Sequence, residues 1–164
     1  MKFLSTKTLM ALILALTMPL KAQEQTLSEA QEVAADIGQQ ILCMAKNVYY
    51  EAATESYEGK LAVAQVTMNR VNNPNFPKTV CGVVYQKVNN TYQFSWVGMA
   101  AQSVKNQYAW EESMMVARKA LTEYKLHDTL YRTKSLNYHN TSVSPGWNLR
   151  RVAKIGNHIF YTNK

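Results

Sequence analysis

The chain has 164 residues, of which 47% are hydrophobic, and its 18 Lys and Arg against 11 Asp and Glu give a formal charge of +7. This length suits one domain, and the apolar fraction excludes a wholly disordered protein. Two cysteines are too few for a disulfide-rich scaffold or a zinc site built from cysteines alone. Because no run of about 20 apolar residues is present, the mature chain is not expected to span a membrane.

Residues 1–22 have the pattern of a secretory signal peptide. Lys2 and Lys7 give a positive start, residues 9–20 are uncharged and mostly apolar, and Ala22 closes the segment. We expect cleavage after Ala22, export to the periplasm or the extracellular cell wall, and a single mature domain over residues 23–164 with a charge of +4. An uncleaved amphipathic anchor or a buried helix is the alternative.

Export would place Cys43 and Cys81 in an oxidising compartment, where a disulfide can form. Closing a loop of about 38 residues would restrict the unfolded chain by roughly 4 kcal/mol in the entropic model. Two buried free thiols, packed as small hydrophobic groups, are the alternative. We favour the bridge because nothing in the local sequence makes either thiol reactive.

Charge is unevenly distributed along the chain. Residues 61–110 carry four basic side chains and no acidic one, and residues 129–164 carry six and none. These stretches suit an anionic polymer as a partner, although a solvated basic face would look the same. Nucleic acid is not expected, because the sequence has no dense Lys/Arg cluster and no recognisable reading motif.

The predicted elements are mainly helical. Thr26 and Glu29 have capping-box spacing, which predicts a helix to about residue 36, and an apolar period near 3.6 predicts a second helix over 37–52. A further helix is predicted from Ser56 to 71, where the turn-forming residues 72–77 end it. Two more helices are predicted, a short one within 79–86 and one over 108–126.

The β-prone segments are 91–96 and 129–138, and a closing strand is predicted over 157–161 after a turn at Gly156. The fold class is therefore α+β, a helix-dominated single domain with a small β element.

Glu51 is the candidate catalytic residue. On a helical projection it lies about 20° outside the apolar arc formed by Ile37, Ile41, Met44 and Val48. A carboxyl group at the edge of an apolar stripe loses hydration, which raises its pKa and suits a general acid. A solvated carboxylate at a helix edge is the alternative.

Two further carboxylates follow on the chain. Glu58 falls in the first turn of the helix that starts at Ser56, where its charge favours the helix dipole. It could alternatively face Glu51 as a second catalytic carboxylate. Glu55 is expected to be solvated.

Aromatic and polar residues recur together, a mixture that suits a sugar-binding groove as well as an ordinary core. The candidate substrate-binding residues are Gln93, Ser95, Trp96, Tyr138 and His139. No metal site is expected, since the three histidines have neither HExxH nor CxxC beside them. A cysteine nucleophile paired with His139 would compete with the disulfide.

Six segments occur in an order that resembles the SleB-like cell wall hydrolases, the family of the spore-cortex lytic enzyme catalytic domain. They are AKNVYYEA (45–52), EGKLAVAQVTMNRV (58–71), FPKTVCGVVYQ (76–86), YQFSW (92–96), LNYHN (136–140) and VAKIGNHIFY (152–161). The resemblance covers roughly residues 42–161.

The resemblance implies a lysozyme-like domain that cleaves the peptidoglycan glycan strand between N-acetylmuramic acid and N-acetylglucosamine. It implies a lytic transglycosylase without a metal or organic cofactor. The glutamate of the YYEA motif, here Glu51, is then the catalytic residue, and Cys43 and Cys81 match family positions. Ala53 and Thr54 stand where relatives often have Arg-Gly, which bears on substrate preference.

Two other functions stay open at this point. One is an N-acetylmuramoyl-L-alanine amidase, and the other is a non-catalytic module that binds peptidoglycan. In each case the expected partner is peptidoglycan, and we expect the chain to be a monomer.

Overall fold

The computed structural model describes residues 20–99, 103–123 and 125–164. Within them the chain forms five α-helices, one 3₁₀ helix and five short strands, as the predicted α+β class requires. Residues 1–19 of the predicted signal peptide lie outside the described residues. No helix of the described ranges is long and apolar enough to cross a membrane.

Helix α1 is Leu20–Ala52, one continuous helix where the sequence predicts two. The predicted capping box is wrong, because the Thr26 hydroxyl donates to the Gln23 carbonyl one turn back instead of capping a new helix. The helix continues without a break through residues 36 and 37, where the sequence predicts a boundary, and Gly38 is accommodated within it. The chain divides into two compact units, which are residues 20–38 of the described chain and Gln39–Lys164.

Helices α2, Tyr57–Val71, and α3, Val80–Val84, begin at the predicted places. The Ser56 hydroxyl accepts from the Gly59 amide, and the Thr79 hydroxyl accepts from the Gly82 amide. Each cap satisfies a backbone N–H that lacks a partner in the first helical turn, which fixes the start of the helix.

The β-prone segment 91–96 is mostly not a strand. Lys87–Val88 (β1) and Thr91–Tyr92 (β2) form a two-stranded hairpin, and Ser95–Gly98 is a 3₁₀ helix. The hairpin turns at Asn89 and Asn90, whose φ angles of 49° and 62° give a primed turn that matches the strand twist.

Helix α4 is Gln107–Thr122, four residues shorter at its C-terminus than predicted. The prediction of β structure over 129–138 is wrong in its first half, where Asp128–Arg132 forms helix α5. Leu130 of this helix is completely buried against the core, and such packing outweighs a local β propensity.

The main sheet has the strand order β3–β5–β4, all antiparallel. Its strands are Asn137–Asn140 (β3), Arg150–Ile155 (β4) and His158–Thr162 (β5). The predicted closing strand is confirmed as β5, whereas β4 was not predicted. Gly156, with φ of 54°, makes the turn between β4 and β5.

The core of the second unit consists of two apolar clusters that share helix α2. Ala64 belongs to the cluster with Met44 and Val48 of α1, and Ala62 belongs to the cluster with Phe160 of β5. Helix α2 thus contacts both the helical part and the sheet, and it fixes the end of α1 relative to β3.

A disulfide joins Cys43 of α1 to Cys81 of α3. Cys43 is buried in the helical cluster, and the bridge closes a segment with a sequence separation of 38. The interpretation of the cysteines as two free thiols is therefore wrong.

Candidate active site

Glu51 lies in the last turn of α1 with its side chain half-buried. The Tyr138 hydroxyl, on strand β3, donates to Glu51 Oε2 over 3.1 Å. Burial raises the pKa of the Glu51 carboxyl, while the Tyr138 hydrogen bond and the nearby Arg70 charge act in the opposite direction to a smaller extent. The site therefore offers a carboxyl group that holds its proton more readily than a carboxyl in water.

Tyr138 keeps its hydroxyl proton to a higher pH than an ordinary tyrosine. Burial and the adjacent Glu51 charge raise the pKa of its hydroxyl well above the ordinary value of 10.0. The hydroxyl can therefore stabilise the Glu51 carboxylate by hydrogen bonding without competing for its proton. Tyr138 is also the predicted site residue that the structure brings directly to Glu51.

Arg70 is a buried charge that the sequence interpretation missed. Its Nε donates to the Leu136 carbonyl over 2.8 Å, and its guanidinium lies 5.5 and 5.2 Å from the ring centres of Phe76 and Phe94. Burial lowers the pKa of Arg70, while electrostatic interactions with Tyr138 and Glu51 raise it. The signal in the sequence is its position in helix α2, where Arg70 directly follows the uncharged residues 61–69.

Trp96 is held in one orientation beside the residue that precedes Glu51. Its Nε1 donates to Asn47 Oδ1 over 3.2 Å, and Asn47 in turn donates to the Thr67 hydroxyl. The Trp96 ring lies 4.7 Å from the Tyr50 ring and 6.2 Å from the exposed Tyr85 ring. Trp96 thus contacts two tyrosine rings, one of which belongs to the residue next to Glu51.

Gln93 and Ser95 are exposed on the segment that leads into the 3₁₀ helix of Trp96. Their side chains are accessible to a ligand, and the buried Phe94 between them anchors the segment. The structure therefore places Gln93, Ser95 and Trp96 on one short segment.

The structure does not bring His139 to Glu51. Tyr138 and His139 are consecutive in strand β3, so their side chains point to opposite faces of the sheet. His139 Nδ1 donates to the Asn140 carbonyl, and His139 Nε2 lies 2.9 Å from the Tyr161 hydroxyl. Its ring also lies 5.5 Å from the partly exposed Trp147.

Glu55 is buried, so the expectation that it is solvated is wrong. Its carboxylate accepts from the Asn157 backbone N–H at 3.1 Å and from Asn157 Nδ2 at 3.0 Å. Its backbone carbonyl accepts from Lys60 Nζ, which also pairs with Glu112 of α4 over 3.2 Å. Glu55 therefore ties the segment after Glu51 to the β4–β5 turn.

Glu58 lies in the first helical turn after Ser56, as the sequence predicts. Its side chain is 70% exposed, and its carboxylate lies 3.5 Å from His127 Nε2. His127 precedes helix α5, so Glu58 contacts a different part of the domain from Tyr138, the partner of Glu51.

Both cysteines are in the disulfide, so neither provides a thiolate for a pairing with His139. Among the described residues no group of three or more His, Cys, Asp or Glu side chains is arranged to hold a metal ion.

The candidate site thus has a half-buried carboxyl in the last turn of a long helix and a tyrosine donor from a small antiparallel sheet. The chain belongs to the Cell Wall Hydrolase family, whose model matches residues 54–161. The resemblance inferred from the six sequence segments is thereby confirmed.

Curated relatives are similar over most of this chain. The chain is 30% identical to the spore cortex-lytic enzyme of Bacillus subtilis over 145 residues, which are 87% of this chain and 44% of that protein. It is 32% identical to the spore cortex-lytic enzyme of Oceanobacillus iheyensis over 73% of this chain and 40% of that protein. The chain thus spans less than half the length of these relatives.

Two solved structures share the fold. The catalytic domain of the Bacillus cereus SleB protein matches with a TM-score of 0.54 and 28% identity over 75% of this chain and 89% of that domain. The catalytic domain of the germination-specific lytic transglycosylase SleB from Bacillus anthracis matches with a TM-score of 0.56 and 28% identity, over 75% of this chain and 93% of that domain. The predicted lysozyme-like fold is thereby confirmed.

Proposed function

We propose that this protein is a lytic transglycosylase that cleaves peptidoglycan between N-acetylmuramic acid and N-acetylglucosamine, with Glu51 as its single catalytic carboxyl group. The observation that carries the proposal is the carboxyl of Glu51, whose pKa is raised by burial and which the Tyr138 hydroxyl contacts at 3.1 Å. The similarity to the catalytic domain of a lytic transglycosylase supports the reaction type.

In the first step, protonated Glu51 donates its proton to the glycosidic oxygen as the bond from that oxygen to C1 of N-acetylmuramic acid breaks. Positive charge develops at C1, and the carboxylate that remains on Glu51 stabilises it. Tyr138 and Arg70 support this carboxylate through a hydrogen bond and a nearby positive charge. The N-acetylglucosamine end leaves with a free hydroxyl.

In the second step, Glu51 takes the proton of the muramic acid 6-hydroxyl as that oxygen bonds to C1. The product is a 1,6-anhydro ring, Glu51 is again protonated, and no water is consumed. One group that acts first as acid and then as base is sufficient for this sequence.

Hydrolysis would use a second carboxylate, which in glycosidases stands about 5 to 9.5 Å from the first. Neither neighbouring carboxylate supports this alternative. Glu55 is occupied by Asn157, and Glu58 is exposed beside His127. These contacts favour the transglycosylase reaction over hydrolysis through Glu58.

We further propose that Trp96 stacks against a sugar ring, and that Gln93 and Ser95 bind its polar substituents. The fixed indole of Trp96 and the exposure of Gln93 and Ser95 support these roles. For His139, the contacts with Tyr161 and Trp147 favour a role away from Glu51, at the edge of the sheet.

We also infer that the protein is exported and that residues 1–22 are its signal peptide, with the mature domain over 23–164. The disulfide between Cys43 and Cys81 supports an oxidising compartment. Peptidoglycan lies outside the cytoplasm, which agrees with this location.

Digestion of purified peptidoglycan tests the function, with soluble fragments identified by mass spectrometry. We expect anhydro-muropeptides from the natural protein, their loss in Glu51→Gln, and their retention in the control Glu58→Gln. Reducing-end muropeptides would instead show hydrolysis, and free stem peptides would show an amidase. Binding to peptidoglycan without release of fragments would show a non-catalytic module.

A further inference from the structure

A cavity of about 400 Å³ lies where helix α2 ends, next to helix α5. Glu51 does not line it, so it is distinct from the carboxyl site. Its lining contains no acidic residue. The polar lining residues carry amide, phenol or cationic side chains and are Asn69, Asn72, Asn73, Tyr131, Arg132 and Lys134.

Lys134 has an unfavourable backbone conformation for its residue type. Its φ is 49°, and it follows the C-cap of α5 at the position where helices usually carry glycine. The Ser135 N–H bonds to the Leu130 carbonyl and the Lys134 N–H to the Tyr131 carbonyl, which completes the helix end without any use of the Lys134 side chain. The Lys134 side chain is therefore not needed to end helix α5, and Lys134 lines the cavity.

The charges around the cavity leave it positive. Arg132 pairs with Asp128 over 3.0 Å, and Asp128 also pairs with Lys125 over 2.6 Å. One carboxylate thus faces two cations, and Lys134 adds a third positive charge. A ligand with a carboxylate would complement this surface, and the side-chain amides and the Tyr131 hydroxyl can bond to peptide groups.

The cavity and the Glu51 site share one part of the backbone. Asn69 of α2 donates to the Leu130 and Ser135 carbonyls at 2.9 Å each, and its neighbour Arg70 donates to the Leu136 carbonyl. Leu136 lies two residues before Tyr138, the partner of Glu51. Lys134 of the cavity wall and Tyr138, the partner of Glu51, are four residues apart in the chain, so their Cα atoms are at most about 14 Å apart.

We propose that this cavity binds a carboxylate of the peptide stem that peptidoglycan carries on its muramic acid. This inference rests on the proposed function, because it assigns the cavity to a second part of the same substrate. Lys134 provides the charge, Arg132 adds to it, and Asn72 and Asn73 provide amide groups for the peptide backbone.

The experiment compares glycan strands that carry tetrapeptide stems with the same strands after an amidase has removed the stems. Lys134→Gly places the favoured residue at a left-handed position, so this variant is expected to fold. It should lower kcat/KM on strands with stems by roughly three- to tenfold and leave the value on stripped strands unchanged. Lys134→Arg should restore most of the loss. Lys46→Gln removes an exposed charge of helix α1 and should change neither value.

A binding measurement separates this inference from the proposed function. The isolated tetrapeptide is titrated into the full-length Glu51→Gln protein while backbone amide shifts are followed by NMR. Saturable shifts at Tyr131 and Lys134 that Lys134→Gly abolishes would support the peptide site even if the protein cleaves no glycan. Shifts confined to other residues, or equal losses of kcat/KM on both kinds of strand, would overturn it.

Discussion

The Tyr138 hydroxyl lies 3.1 Å from Glu51 Oε2, although the two residues are 87 positions apart in the chain. Glu51 lies in the last turn of helix α1, and Tyr138 lies in strand β3. This contact is the point at which the helical part of the domain and the sheet jointly form the candidate active site. It orients the carboxyl group and partly offsets the rise in the Glu51 pKa that burial causes.

Replacement of Tyr138 by Phe should raise the pKa of Glu51 further. The Tyr138 hydrogen bond stabilises the charged carboxylate and so lowers this pKa against the effect of burial. Because cleavage begins with protonated Glu51, the alkaline limb of the kcat/KM profile should move to higher pH in Tyr138→Phe. At its optimum the variant should be about 10- to 100-fold slower, since the carboxylate formed in the transition state loses a donor.

The control for this experiment is Tyr161→Phe, which removes a hydroxyl bonded to His139 on the sheet. Its pH profile should match that of the natural protein. An unshifted alkaline limb in Tyr138→Phe would show that the limb reports a group other than Glu51.

Replacement of Arg70 should affect both stability and the pH profile. Arg70→Met removes the hydrogen bond to the Leu136 carbonyl and should lower the free energy of unfolding by roughly 1–3 kcal/mol, measured by urea denaturation. It also removes a positive charge that lowers the pKa of Glu51, so the alkaline limb should again move to higher pH. Arg70→Lys keeps the charge and should restore the pH profile more fully than the stability.

If Arg70→Met lost stability but kept the pH profile of the natural protein, Arg70 would be a purely structural residue. If Arg70→Lys shifted the limb as far as Arg70→Met, the position of the guanidinium and not its charge would be responsible.

The sequence predicted the parts of the fold that local chemistry determines. The caps Ser56 and Thr79 have side chains that bond within the same turn, so the starts of α2 and α3 could be read directly. The helical period likewise placed Glu51 at the edge of an apolar face. Helix α5 was missed because the burial of Leu130 depends on residues far away in the chain. Strand β4 was missed although it pairs with β5 in a local hairpin around Gly156.

The same distinction applies to the site. Glu51, Tyr138 and Trp96 belong to motifs of unusual composition and were identified as candidates. Asn47 and Arg70 act through partners 49 and 66 residues away, and no local pattern marks those pairs. Glu55 was taken as solvated because its partner Asn157 is 102 residues distant.

Loss of the disulfide should destabilise the domain. Cys43 and Cys81 close a loop with a separation of 38, which stabilises the folded protein by roughly 4 kcal/mol in the entropic model. The Cys81→Ser variant should therefore unfold at a lower urea concentration than the oxidised natural protein. The natural protein in dithiothreitol should behave like the variant, and dithiothreitol should leave the variant unchanged. A reduced natural protein with an unaltered midpoint would refute a stabilising role of the bridge.

Gly156 and Glu55 should be energetically coupled. A methyl group at position 156 would lie 1.9 Å from Glu55 Oε2, and the φ of 54° disfavours any side chain there. Gly156→Ala should therefore displace the carboxylate from Asn157 and lower the free energy of unfolding by about 2–4 kcal/mol. Glu55→Ala alone should lower it by roughly 1–3 kcal/mol, because two donors of Asn157 lose their acceptor.

The double variant distinguishes steric conflict from backbone strain. If the conflict with Glu55 dominates, Glu55→Ala with Gly156→Ala should be clearly more stable than the sum of the two single losses predicts, since the truncated side chain no longer meets the new methyl group. Urea denaturation of the four proteins completes this double-mutant cycle. Strictly additive losses would mean that the left-handed conformation of residue 156, and not its distance from Glu55, is the reason for glycine in the β4–β5 turn.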